Sequence, residues 1–572
     1  MRVGKTNYGS PEPLEFQAFD FSGLLNIESL PQNLADNELT IATNVYGDVT
    51  GGLRMRRGMT AYHSKLSSTA CQGITRFFQQ VIAGTPQSTP VAYTLAQIGG
   101  TLWNAVTNTQ IGSTNALGAS AQPWSVAQVY DPDYSGGATD CLVICTGSGG
   151  PYLFNGTTIS TPSGWSAASG ARWCVVSNAS LWFGGIPGSP NLLWQSQPQH
   201  PELYGNQFVA SLPVTGLSSI GAGSQSGLVY SMTKGLGVTF GVNLYNYYHQ
   251  EIPHVDGFYG RTMVSVNGLV YMLGDTNIYV FDGQNIVPIG KKIRPWIIND
   301  PNHQEYPMNG ARSLSFAWYY NQYIYFAYDS GNLGYCNTYL VYHIDKQGWT
   351  VLTGPNLSAA CLLDAPIVDP TPHACIVADA QIGQVYNWDV FDGNGINGHQ
   401  VTDLVASGGS AVAQNISTQV LTKFYRLTSP GTRATLKTVF PEYFIDVGFN
   451  GSVVVSYDYG TMNLATSNIN SSLTNVSPTW AIGTSDFVYT ADGGTPTARW
   501  AGSNPTSYLC AGIQADQFQP ATNSSYSFIV PQAYSFAFGC STNDNNPPYV
   551  FAGVSGTFIP EPRIIPDPGG TF

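Results

Sequence analysis

The chain has 572 residues, of which only 10% are charged, with 21 Lys and Arg against 34 Asp and Glu and a formal net charge of -13. Ordinary soluble domains are roughly 25% charged, so this surface has to be covered by Ser, Thr, Asn, Gln, Gly and Tyr, as suits extracellular, fibrous or assembled proteins. The acidic balance argues against a protein that grips nucleic acid by neutralising phosphates, though not against one past which nucleic acid slides.

At ~100–200 residues per domain the length predicts two or three domains. The first residues, "MRVGKTNYGSPEPLEF", lack a signal peptide's apolar stretch, and no 18-residue apolar window occurs. Synthesis in a cytosol and no membrane-spanning segment are therefore expected. The nine cysteines are an odd number without a CxxC pair, and Cys141 and Cys145 in "CLVIC" read as buried core residues.

Helical periodicity is almost absent along the chain. The stretch "LTIATNVYGDVTGGLRMRRGMTAYH" at 39–63 opens with an alternating run, passes two turns and ends in Arg54, Arg56 and Arg57. It closes a predicted N-terminal platform segment, 1–64. From 65 to about 395, short runs rich in Val, Ile, Tyr, Phe and Trp alternate with Gly, Asn-Gly and Asp-Gly turns, the hairpin pattern. The clearest unit is "TMVSVNGLVYMLGDTNIYVFDGQNIVPI" at 262–289, with turns at Asn267-Gly268, at 274–277 and at Asp282-Gly283. It predicts a four-stranded antiparallel meander of the size of one propeller blade.

Comparable units begin near Ala92, Asp140, Arg172, Gly227, Leu314 and Ala374, at roughly blade-sized spacings of 40–50 residues. Several carry an apolar-aromatic pair at the equivalent place: Leu102-Trp103, Tyr152-Leu153, Leu181-Trp182, Ile278-Tyr279 and Val385-Tyr386. Six or seven degenerate blades are expected. Residues 396–572 form a predicted second β domain, sandwich-like, with long loops across 461–545. The proline-rich tail 558–572 is expected to be extended, either lying along a neighbouring chain or frayed. The fold class is all-β.

Residues for chemistry are few. No GxSxG or P-loop is present. His249 and His254 in "HQEIPH" have no obvious companion ligand for a metal. Asp458 and Asp492 are candidate carboxylates for sugar hydrolysis, but both sit beside glycines, where Asp forms turns. Neither a cofactor nor catalysis is expected. "GKKIRPW" holds Lys291, Lys292 and Arg294, a second cationic cluster. It is either a solvated loop or, with Arg54, Arg56 and Arg57, a docking surface for an acidic partner or sister subunit.

The order of features resembles the tail nozzle proteins of short-tailed bacteriophages, the tail tubular protein B and packaged-DNA stabilisation group. "LADNELTIATNVYGDVTGGLRMRRG" leads into a degenerate propeller that contains "LWQSQPQHPELY". "LGDTNIYVFDGQNIVPIGKKIRPWI" and a C-terminal β region follow, so the likeness covers about 20–460. The resemblance implies a non-enzymatic virion protein, assembled in the host cytoplasm into a hexameric ring below the portal and its adaptor. It would retain packaged DNA, anchor fibres or a needle, and form a lumen through which double-stranded DNA leaves without tight binding. It also implies a platform built from the two chain ends. The rival is a carbohydrate-binding or hydrolysing propeller, such as a phage receptor-binding protein, for which 34 Tyr and 12 Trp would serve sugar stacking. A secreted adhesion module is a third possibility, against which the missing signal peptide and odd cysteine count weigh.

Overall fold

The computed structural model describes residues 13–390, apart from 49–50, 120, 222–226, 242–246 and 364–373. Beyond these it describes 402–428, 433–445, 450–457, 465–470, 479–482, 487–490, 498–500, 519–520, 533–542 and 549–560. Asp458, Asp492, most of 461–545 and the tail from 561 onward lie outside the described residues.

The period-two alternation folds into seven blades of antiparallel strands. Blade 1 comprises Cys71–Ile82, Thr85–Ile98, Thr101–Asn104 and Thr109–Ile111. Blade 2 opens at Ser125–Asp131, blade 3 at Trp173–Ser177, blade 4 at Val214–Ile220, blade 5 at Val264–Val266 and blade 6 at Phe316–Tyr320. In blade 5, Val266 pairs with Leu269 across Asn267-Gly268, whose φ angles of 51° and 79° give the expected primed turn.

The long strand Gly348–Leu363 serves two blades. Its first half pairs with Cys336–His343 as the outer strand of blade 6. Past an irregularity between Leu357 and Ala359, its second half pairs with Ala374–Asp379 as the inner strand of blade 7. Blades 2 to 6 pack successively through their first strands, Cys71–Ile82 packs on the second strand of blade 2, Thr139–Cys145, and Gly348–Leu363 returns to Cys71–Ile82 to close the ring.

The outer strand of blade 7 is Thr60–Ala61, paired with Val385–Trp388. The sequence pattern ends the N-terminal platform segment at 64. Instead, its last residues belong to the propeller and fasten it, with Tyr62 N–H on the Val385 carbonyl at 2.9 Å and Leu66 N–H on Gly383 at 2.7 Å.

Aromatic residues fill the spaces within and between blades, Trp182 and Trp194 of blade 3 and Trp165 of the turn before it among the fully buried ones. Leu102-Trp103, Tyr152-Leu153, Ile278-Tyr279 and Val385-Tyr386 occupy third strands. Leu181-Trp182 lies on the second strand of blade 3, where Leu193-Trp194 is the true counterpart. A period of two is the same in every strand, so a matching dipeptide does not tell which strand it is on.

The two chain ends fold together rather than as separate units. One sheet runs from the edge of blade 6 through Glu38–Thr43, Thr418–Thr422, Phe536–Thr542, Asn450–Tyr457 and Ala465–Asn470, joined to the blade at Thr43 opposite Val351. The facing sheet holds Leu14–Ala18, Tyr549–Pro560, Ala434–Ile445, Leu53–Met55 and Val45–Gly47. Between them lies a core that includes Leu39, Val420, Phe538, Phe551 and Phe558 and continues into Tyr342 and Trp349 of blade 6. Phe16 stacks on Phe538 at 4.6 Å and Phe21 on Phe551 at 5.2 Å. Each such pair contributes ~0.5–1.5 kcal/mol beyond its burial. No helix among the described residues is long and apolar enough to cross a membrane.

Candidate functional site

The arginine cluster lies where the platform strand Leu53–Met55 hands over to the closing strand of blade 7. Arg56 faces inward and is 1% exposed. Its Nη1 donates to Asp403 Oδ1 at 2.8 Å and its Nη2 to Asp403 Oδ2, a bidentate pair. Its Nε donates to Asn44 Oδ1 at 2.9 Å, and Nη2 also to the Thr353 carbonyl at 2.9 Å. Burial opposes the charge, but the Asp403 carboxylate overcomes it and holds the guanidinium above its ordinary pKa.

One side chain therefore joins the platform at Asn44, the strand shared by blades 6 and 7 at Thr353, and the hairpin after the propeller at Asp403. A side chain at Gly58 would meet the Thr402 carbonyl at 2.0 Å, so the segment lies against that hairpin only because residue 58 is glycine.

These contacts correct the docking reading for Arg56, which is an internal clamp. Arg57 is half-buried, and its N–H donates to Asp389 Oδ1 at 2.9 Å. Arg54, also half-buried, lies in the field of Asp389, which with Tyr323, Tyr46 and Asp48 raises its pKa against the effect of burial. The acidic partner of the cluster belongs to the same chain: Asp403 and Asp389 are 1% and 6% exposed.

The second cluster divides. Lys292 Nζ lies 3.0 Å from Glu38 Oε1 and donates to the Gly23 carbonyl at 2.8 Å, pinning the short helical turn after blade 5 to the platform. Burial tends to raise the Glu38 pKa, but bonds from Ala35 N–H, Lys292 and Asn26 bring it below its ordinary value. Lys292 is thus tethered within the chain, whereas Lys291 and Arg294 are exposed.

His249 and His254 also separate. His249 stacks on Tyr230 at 5.4 Å, and His254 meets Tyr279 edge-on at 5.0 Å. No group of three or more metal-ligating side chains occurs among the described residues.

A cavity of about 370 Å³ lies at the end of the propeller where the first strands of blades 3 to 6 begin. Arg172, Trp173, Tyr259, Arg261, Asp275 and Ser315 are in its wall. Burial pushes the pKa of each arginine down to about 10, and Arg172 adds to the effect on Arg261. Neither has a carboxylate partner among the described contacts. Arg172 donates to the Pro123 carbonyl and lies over Trp173 at 4.9 Å. Arg261 donates to the Leu314 and Ser358 carbonyls and lies over Phe316 at 5.3 Å.

The signal for these residues is a short repeat just before blade entries: "GAR" at 170–172 and 310–312, and "GR" at 260–261. It escapes a search for paired ligands because the residues lie about 90 positions apart.

No protein-family model matches the chain, and no curated protein does. Among solved structures, it is similar to one described as the crystal structure of BBS1N in complex with ARL6DN, soaked with mercury. The identity is 11% and the TM-score 0.29, over 50% of this chain and 84% of that one. A likeness at that level carries no functional argument.

Proposed function

We propose that this chain is a structural protein of a short-tailed phage tail, a nozzle subunit. It would form a ring below the portal and adaptor, retain packaged DNA, anchor fibres or a needle, and line the channel for ejection. The observation that carries this reading is the platform. Both chain ends interleave in one sandwich that shares its core with blade 6, a module continuous with a closed propeller that would serve for docking.

Composition supports it as well. Six chains would carry 6 × -13 = -78, and carboxylates facing a lumen repel phosphate and keep DNA from adhering. The number six comes from the resemblance alone. Of the cationic candidates, Lys291 and Arg294 are exposed and would meet an acidic partner on this reading.

Negative-stain imaging and light scattering of the purified chain, alone and with portal and adaptor, test the reading. A ring of about 370 kDa from six chains of 61.4 kDa is expected. Lys291→Glu with Arg294→Glu should weaken its attachment without altering thermal unfolding. A monomer that ignores the portal complex would refute the proposal.

A further inference from the structure

The cavity at the start of the first strands of blades 3 to 6 has a composition that nozzle assembly does not use. Each guanidinium carries five N–H donors in a fixed fork. Arg172 commits one nitrogen and Arg261 two, all to neutral carbonyls. Ser315 is 1% exposed, yet its hydroxyl has no protein partner, a costly arrangement unless something else binds it. At the rim, Asp275 is held in place by the Tyr259 hydroxyl at 2.7 Å and the Gly257 N–H at 2.8 Å, which leaves further lone pairs for a hydroxyl donor. The indole of Trp173 and the ring of Tyr259 supply apolar walls.

We propose that this cavity binds a carboxylate-bearing sugar unit, with Arg172 and Arg261 taking the carboxylate and Asp275 and Ser315 taking ring hydroxyls. Cations and an acceptor in one wall suit a ligand that carries both an anion and hydroxyl donors. A phosphate dianion would gain from the arginines but be repelled by Asp275. The volume, about 370 Å³, lies at the small end of the ~300–1,000 Å³ usual for ligand pockets and suits one ring. The inference stands apart from the nozzle reading, since a ring-forming chain and a monomeric one would both present the site.

Calorimetry and tryptophan fluorescence of the full chain, titrated with D-glucuronate, D-galacturonate, D-glucose and inorganic phosphate, test it. At least one uronate should bind saturably with a Kd of about 1 mM or tighter. Glucose should bind ~10-fold or more weakly, as expected for loss of a charged hydrogen bond. Arg172→Gln and Arg261→Gln should each lower uronate affinity by a similar factor. Ser315→Ala and Asp275→Asn, which leave the packing in place, should lower it ~3- to 10-fold with thermal unfolding unchanged. These two variants decide the matter should the arginine variants fold poorly. No saturable uronate binding by about 50 mM, glucose as tight as uronate, or phosphate as tight as uronate would each overturn the proposal.

Discussion

Replacing Arg56 by Met removes one partner of a buried pair while roughly preserving side-chain length. Asp403 is left with its side chain 2% exposed and no cation against it, while Asn44 Oδ1 and the Thr353 carbonyl each lose a donor. Breaking a buried ion pair from one side costs ~3–5 kcal/mol, mostly the penalty of the stranded charge. A chain of several packed units is not expected to unfold in one step, so the cost is best read locally by hydrogen exchange. Amides of the hairpin Thr402–Ser407 and Ser410–Asn415, and those around Thr353, should exchange roughly 100-fold faster or more, since each 1.36 kcal/mol is a factor of ten. Blades 2 to 4, remote from the clamp, should keep wild-type protection. Asp403→Asn in the Arg56→Met background should recover much of the loss, because no bare charge then remains, and the cycle should show strong coupling. Wild-type exchange in Arg56→Met, or additive effects of the two substitutions, would refute the clamp.

The buried His343 has its pKa lowered to about 3, chiefly by burial and then by Lys346. Its contribution is complete above pH 6.5 and is lost as pH falls toward 3, by up to about 1.4 kcal/mol per unit. His343→Gln, which keeps a partner for Thr350, should flatten the acid limb of a pH–stability curve. Glu202 works with the opposite sign, its pKa raised to about 7 by burial first and then by Asp131. Its contribution is complete below about pH 4.5 and is lost as pH rises through 7. Glu202→Gln should therefore melt higher than wild type at pH 8 and equal it at pH 4, with a slope below 1.4 kcal/mol per unit because the group is partly solvated. Trp194 is 0% exposed between Phe183 and Tyr204. Trp194→Ala should cost ~3–5 kcal/mol by cavity formation, seen as lost protection across blade 3 in hydrogen exchange.

What the sequence displayed was local. The turn at Asn267-Gly268, the blade it organises and the all-β class follow from residues a few positions apart, because a hairpin's register is fixed by its own turn. What it concealed was long-range. Thr60–Ala61 meets Tyr386 and Asn387 across more than three hundred residues, and nothing in a two-residue strand announces that. The pairing of Thr43 with Val351, which makes platform and propeller one body, is equally silent. The same limit explains the candidate site. Arg56 looked like a surface cation because its carboxylate is 347 positions away at Asp403, and Arg172 looked unremarkable because Arg261 belongs to another blade.

Scarcity of charge changes how a cationic cluster should be read. Where charged residues are plentiful, a run of arginines is usually one patch of a mixed surface. Here Arg56 neutralises Asp403 and Lys292 neutralises Glu38, both inside the seam between platform and propeller. Arg172, Arg261 and Arg312 are held at the cavity end, where the described hydrogen bonds run to neutral carbonyls. Three cations and Asp275 at that end carry +2 together, which leaves the rest of the chain at -13 minus 2, or -15. The remainder of the chain is thus slightly more acidic than the composition states, while three arginines stand together at the cavity end. A polymer as large as duplex DNA, repelled by the remainder, would gain nothing from a pocket of about 370 Å³. Under the two proposals above, the same distribution of charge would suit both a wall that lets phosphate pass and a cavity that holds a single carboxylate.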